Sequence, residues 1–235
     1  MLEQATTPFT ASSSGRTTAT PGPAKVKLSG DVFGALINLS GRRRFTSQRV
    51  VLYAVLASLG HEGAVDTARD TLGLFRDAHL TLLEGRGVLP GIFCEPLRDA
   101  YFGNMQGDKA IRDFISLAEA TLAAVADNAR GAPGMLDELV RNATPLLSVL
   151  NRLTLVYEEQ SKRHAQTQRR ELNEMMGKVK TIAKQARVVA FKAQIVAARA
   201  GEAGLEFSVV AGSMSSITAE IDDIVHAALN GVLAS

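Results

Sequence analysis

MMGKVKTIAKQARVVAFKAQIVAARA (175–200), then GEAG (201–204), then LEFSVVAGSMSSITAEIDDIVHAALN (205–230) is the stretch whose reading decides the fold. Before the glycines, Met175, Val179, Ile182, Ala186, Val189, Ala193, Val196 and Ala200 recur at alternating steps of four and three. After them the period resumes as Phe207, Val210, Met214, Ile217, Ile221, Ile224 and Ala228. That alternation draws one seam along a helix, the period with which helices wind around each other. Two seams joined by a glycine-containing turn predict an antiparallel coiled-coil hairpin over 175–235. Working backwards, no proline follows Pro145, so one helix is expected from about 135 to 200. At about 1.5 Å per residue it runs on the order of 100 Å, more than a globular domain needs and suited to carrying a signal lengthwise. Its middle, 158–174, is polar except for Ala165 and Leu172. The last helix folds back only to near Leu172, so this polar stretch is expected to be a solvated or dimer-paired neck.

Composition sets the class. With 46% apolar residues and no Trp the chain can bury an aliphatic core, and no run of alternating β-branched residues interrupts its Ala- and Leu-rich sequence. An all-α fold is therefore expected. The 26 Lys+Arg nearly balance 24 Asp+Glu. Nothing then pulls the whole chain toward nucleic acid or an anionic membrane, and any anion site must be local. The lone Cys94 excludes an intrachain disulfide and fits a reducing compartment. Residues 1–28 are mostly Thr, Ser, Ala, Pro and Gly without an apolar block and are expected to be a disordered tail. No apolar run approaches the roughly 18–20 residues that span a bilayer, so a soluble, cytoplasmic protein is expected.

Between tail and neck, four helices are expected to form an up-down bundle over 29–157. The first starts near Ser29 and stops at Gly60, the second covers about 62–84, and the third runs from Asp108, as N-cap, to about 128. The 131–134 segment reads as a turn before the long helix. The connection rich in Gly and Pro between helices two and three is too apolar to float free and is expected to pack on the bundle, with a short helix at 95–102. Two faces can be drawn on the first helix. Phe33, Leu36, Phe45, Leu52, Leu56 and Leu59 form a core stripe, while Ile37, Gly41, Arg44, Gln48, Val51 and Val55 form a second seam with a polar centre. Spacing alone leaves two readings of that centre: a guanidinium held in a contact surface, or Arg42, Arg43, Arg44 and Arg49 as a solvated basic face paired with neighbouring acids. Between two subunits, opposed guanidiniums would repel until a planar oxyanion accepted forked N–H bonds from both. Gly41, one turn earlier, would permit close backbone approach.

No metal and no cofactor are expected, because His61, His79, His164 and His226 lack ligand spacing and Cys94 has no partner at motif spacing. Phosphate loop, nucleophile elbow and paired catalytic carboxylates are missing, so the chain is not expected to be an enzyme.

Two segments resemble known families. INLSGRRRFTSQR (37–49) is similar to the signature of the type IV pilus chemotaxis transducer N-terminal domain, a relative of the NarX-like nitrate/nitrite sensor domain. The resemblance covers about 30–155. It implies a four-helix bundle that dimerises through its first helix and binds nitrate or nitrite on the two-fold axis between matching arginines. By position, Gly41 and Arg44 match the anion-contacting glycine and arginine, Arg49 matches a second motif arginine, and Gln48 is a further candidate donor. The family's usual Met-Leu is replaced by Phe45 and Thr46. AARAGEAG (197–204) with FSVVA (207–211), and IAKQ (182–185) before them, resemble the signalling tip of methyl-accepting chemotaxis proteins over about 180–215. That resemblance implies docking on a chemotaxis coupling protein or kinase, with Arg199, Glu202 and Phe207 at the contact. The tip is degenerate: Lys184, Lys192 and Val196 stand where the family has an aromatic, an asparagine and a glutamate. Together these features predict a homodimeric oxyanion sensor that relays through its long helix, with a ligand-free coiled-coil adaptor as the alternative.

Overall fold

The computed structural model describes residues 28–234, and side chains as far as 228. The tail expected over 1–28 lies outside the described residues except for Leu28, which packs half-buried against the core. The chain is all-α: α1 (Gly30–Ser58), α2 (Ala64–Glu84), α3 (Glu95–Phe102), α4 (Gly107–Ala126), α5 (Ala132–Arg199) and α6 (Leu205–Ala234), with a 3-10 turn at Gly201–Gly204. Two-residue strands β1 (Gly85–Arg86) and β2 (Leu89–Pro90) pair antiparallel in the connection before α3.

Local chemistry sets the helix ends. Ser29 Oγ accepts from the Val32 N–H at 3.3 Å, and Asp31 lies in the first turn of α1. At the other end Gly60 sits at φ 83°, with its N–H on the Ala57 carbonyl and the His61 N–H on that of Leu56. This is a Schellman closure, which needs a left-handed residue. Asn128, at φ 50°, closes α4 in the same way. Two expected ends differ. Gln106, at φ 47°, precedes α4, so Asp108 is not its N-cap; the carboxylate turns inward to a histidine instead. The 131–134 segment is not a separate turn, because α5 already begins at Ala132 with Pro133 in its first turn, where a missing N–H costs nothing.

Residues of α1, α2, α4 and the first part of α5 line one core, with α3 closing its side through Leu97 and Tyr101. The inward stripe of α1 is Val32, Phe33, Leu36, Ser40, Arg43, Thr46, Ser47, Val50, Val51 and Ala54. Phe45, Leu52 and Leu59, expected in the core, are 64%, 55% and 70% exposed. The helix is apolar on two sides, and the side chosen for the interior is rotated from the one the apolar spacing favours.

The far end of α5 pairs with α6 running antiparallel: Arg187 Nη2 meets Asp222 Oδ2 at 2.8 Å, and Lys180 Nζ meets His226 Nε2 at 3.3 Å. The contact seam is not the one drawn from the large aliphatics. It is made of Ala183, Ala190 and Ala197 against Gly204, Ala211, Thr218 and Val225, all buried. Ile182, Val189, Val196, Val210, Ile217 and Ile224 are each more than half exposed. Small residues let the two backbones close more tightly than branched ones do. At the turn the approach is so close that a side chain on Gly204 would meet the Ala197 backbone. The polar neck, expected over 158–174, starts later: His164 still packs on Phe33 of α1, with ring centroids 5.2 Å apart, and side chains are continuously exposed only over 165–175. No described helix is long and apolar enough to cross a membrane.

Candidate functional site

The arginines of α1 part company because consecutive residues of a helix point about 100° apart. Arg42 is exposed, Arg43 is fully buried, Arg44 is exposed along α5, and Arg49 is half-buried on the outer side. Arg44 Nη1 donates to Asn151 Oδ1 of α5 at 3.1 Å, and its Nη2 lies over Gly41, 3.3 Å from where a side chain there would begin. Glycine thus lets this guanidinium fold back across its own helix. Gln48 Nε2 reaches the Ala143 carbonyl at 3.4 Å. Gly41, Arg44 and Gln48 are brought to one edge, the groove between α1 and α5, while Val51 of the same seam is buried in the chain's own core.

Arg49 is different. Its guanidinium stacks over the Tyr53 ring at 5.2 Å, and its buried Nε has no hydrogen-bond partner. With Phe45, Gln48, Leu52 and Tyr53 it lines an open cleft of about 440 Å³. A second cleft of about 300 Å³ on its other side runs toward Asp70, Thr67 and Thr71 of α2. Along the outward face Asn38, Arg42, Phe45, Arg49, Leu52, Leu56 and Leu59 recur at steps of four and three. That is a free heptad seam with arginines among large apolar groups.

Within the core lined by α1, α2, α4 and the start of α5 lies a polar cluster. Arg43 Nη2 donates to Ser40 Oγ at 3.1 Å, and Ser40 shares a 2.9 Å bond with Thr154 of α5. Arg43 Nη1 lies 3.3 Å from His79 Nδ1, and the guanidinium sits over the Tyr101 ring at 5.7 Å. His79 Nε2 lies 2.9 Å from Asp108 Oδ1, and Asp108 also holds Arg112. A guanidinium only donates, so His79 Nδ1 must accept and its Nε2–H donates to the carboxylate. Burial, then the Arg43 charge, push the His79 imidazole down to about 4 against the pull of Asp108. Tyr101 and Tyr157 share a 3.3 Å bond, and burial raises the Tyr157 phenol far above its ordinary range. Burial also pushes the Cys94 thiol up. The Arg43 cluster is absent from the residues that spacing selects. Its signal was present in the run Leu36, Ser40, Arg43, Ser47, Val50, which keeps the same four–three period one position off the Arg44 seam.

At the tip, Arg199 ends α5, Glu202 lies in the 3-10 turn and Phe207 in the first turn of α6, all three exposed. Among the described residues no group of three or more His, Cys, Asp or Glu could hold a metal ion. No family model, no curated protein and no solved structure matches the chain.

Proposed function

We propose that the chain is a cytoplasmic, homodimeric signalling protein that takes up a small oxyanion, nitrate or nitrite first, at the outward face of α1. In this reading α1, α2, α4 and the start of α5 act as an up-down four-helix sensor bundle. The long helix passes the binding event to the coiled-coil hairpin, and no catalysis is involved. The observation that carries the reading is Arg49: a guanidinium over the Tyr53 ring, with a buried Nε that has no hydrogen-bond partner, in a seam flanked by exposed Phe45 and Leu52. Pairing two copies along that seam brings two such cations together as water is excluded, which is unfavourable until an anion joins them. A planar oxyanion accepts forked N–H bonds from both sides, with Gln48 as an added donor. Gly41 and Arg44, at the neighbouring edge, would supply a second arginine if the Asn151 bond were exchanged for the ligand. Binding that favours one setting of the α1 pair would shift α5, which packs along α1. Titration calorimetry with nitrate and nitrite, against chloride, tests this. Heat from the native chain that vanishes in Arg49→Ala supports the reading, and no heat from the native chain ends it.

A second reading is favoured by the hairpin. Its exposed aliphatics suit a ligand-free coiled-coil adaptor that docks on chemotaxis receptors, their coupling protein or kinase, with Arg199, Glu202 and Phe207 at the contact. Capture of a purified coupling protein by the full chain, indifferent to nitrate and lost in Phe207→Ala, would favour the adaptor over the sensor.

A further inference from the structure

The polar cluster inside the bundle lies apart from the outward seam, and its bonding pattern admits only one protonation state. Arg43 is fully buried, and among the described residues no carboxylate lies within salt-bridge distance of it. Its counter-charge is Asp108, reached through the His79 ring: Arg43 Nη1 to Nδ1 at 3.3 Å, then Nε2 to Asp108 Oδ1 at 2.9 Å. The arrangement ties α1 to α2 and α2 to α4. It works only while Nδ1 keeps its lone pair. A proton arriving there would set N–H against N–H and cation against cation at a site 2% exposed, where water cannot screen them.

We propose that Arg43, His79 and Asp108 form an acid-released clasp, in which one proton taken up at His79 Nδ1 breaks the Arg43 bond and frees α1 to shift against α2 and α4. The groups facing His79 are Arg43 from α1, Tyr101 from α3 with its ring centroid 6.0 Å away, and Asp108 and Arg112 from α4. Tyr157 of α5 joins through its bond to Tyr101. Of these, Asp108 favours the proton; Arg43 and Arg112 oppose it, as does burial. Once Arg43 loses His79, Ser40 and the Tyr101 face are its remaining polar contacts, too few for a buried guanidinium with five N–H groups. The clasp stands whether or not the outer face of α1 takes an anion.

The test uses the full chain. With no Trp and three Tyr, of which Tyr101 and Tyr157 lie in the cluster, the near-ultraviolet circular dichroism of tyrosine reports on it. Imidazole nitrogen NMR of His79 reports the proton itself. At neutral pH the resonances should show a neutral ring with Nε2 protonated. On acidification both signals should change together, in one single-proton step centred near pH 4. Arg43→Met should move the step to higher pH, and Asp108→Asn to lower pH. His79→Gln, whose amide can accept from Arg43 and donate to Asp108, should keep the neutral spectrum and lose the step. A charged ring or Nδ1-protonated tautomer at neutral pH would overturn the clasp. So would a tyrosine transition in His79→Gln unchanged from the native chain. If the substituted chains fail to fold, the tautomer and the coincidence of the two signals in the native chain still decide.

Discussion

At the scale of single residues, two adjacent arginines make opposite demands. Arg43 is enclosed and hydrogen-bonded to Ser40 and His79, while Arg44 lies in the open with one bond to Asn151. Truncating Arg43 leaves a buried imidazole and hydroxyl without their donor beside a void, so Arg43→Ala should lose about 3–5 kcal/mol in urea unfolding. Arg44→Ala should stay within about 0.5 kcal/mol, as surface changes do. Spacing could not separate the two in advance. Both arginines fall on four–three runs, and only the partners contributed by α2, α3 and α5 decide which run turns inward. The histidine adds a pH dependence with a definite sign. Its folded value of about 4 lies below the ordinary 6.5, so between these the unfolded chain holds the extra proton. Stability from this residue is therefore complete above pH 6.5 and is lost as the pH falls through 4. The whole loss is about 3 kcal/mol. Urea midpoints measured from pH 7 to pH 4 should fall in the native chain more than in His79→Gln, and equal slopes would refute the assignment.

At the scale of elements, some helix ends follow local rules and are legible: Ser29 capping α1, Gly60 ending it, and the short helix Glu95–Phe102 fall where the residues themselves direct, whereas the start of α4 does not, because Asp108 turns inward to His79. Helix faces are another matter. The α5 arm carries two interleaved heptads one residue apart, alanines at 183, 190 and 197 and large aliphatics at 182, 189 and 196. Hydrophobicity favours the second; the single chain uses the first, because the close turn at Gly204 draws the backbones together. The difference is testable by substitution at neighbouring positions. Ala190 is fully buried between α5 and α6, so Ala190→Leu should overpack the seam and cost about 1–3 kcal/mol of hairpin stability. Val189→Ser, at a site 57% exposed, should leave that stability nearly unchanged. Native-state hydrogen exchange of amides in α6 separates the two, and the reverse order would restore the aliphatic seam.

At the scale of the whole molecule, the two flanks of the antiparallel α5–α6 pair differ in kind. Lys180 and Arg187 bond across one flank, to His226 and Asp222. Ile182, Val189 and Val196, two positions on, lie along the other, with Phe207, Met214 and Ile221 of α6 beside them in heptad register. Val210, Ile217 and Ile224 adjoin this apolar flank, each more than half exposed. The two arms are also charged oppositely. Residues 175–200 hold six Lys or Arg and no acid, whereas 201–235 hold five Asp or Glu and no Lys or Arg. Two hairpins meeting flank to flank can be related in two ways. With tips at opposite ends, the basic arm faces its own copy; with tips together, each basic arm faces the partner's acidic arm. The second relation places the two-fold axis along α5. A Cys94→Ala chain carrying Val189→Cys, mixed with one carrying Ile217→Cys, should then cross-link readily as a heterodimer, since the two sites stand at one height on facing arms. Cross-linking of the Val189→Cys chain with itself instead would indicate tips apart. In the dimer proposed above, triple replacement of Ile182, Ile217 and Ile224 by Ser should weaken association at least tenfold in sedimentation, and added salt should weaken it as the opposed arms are screened. Unchanged association in the triple variant would mean that the flank is not where the copies meet.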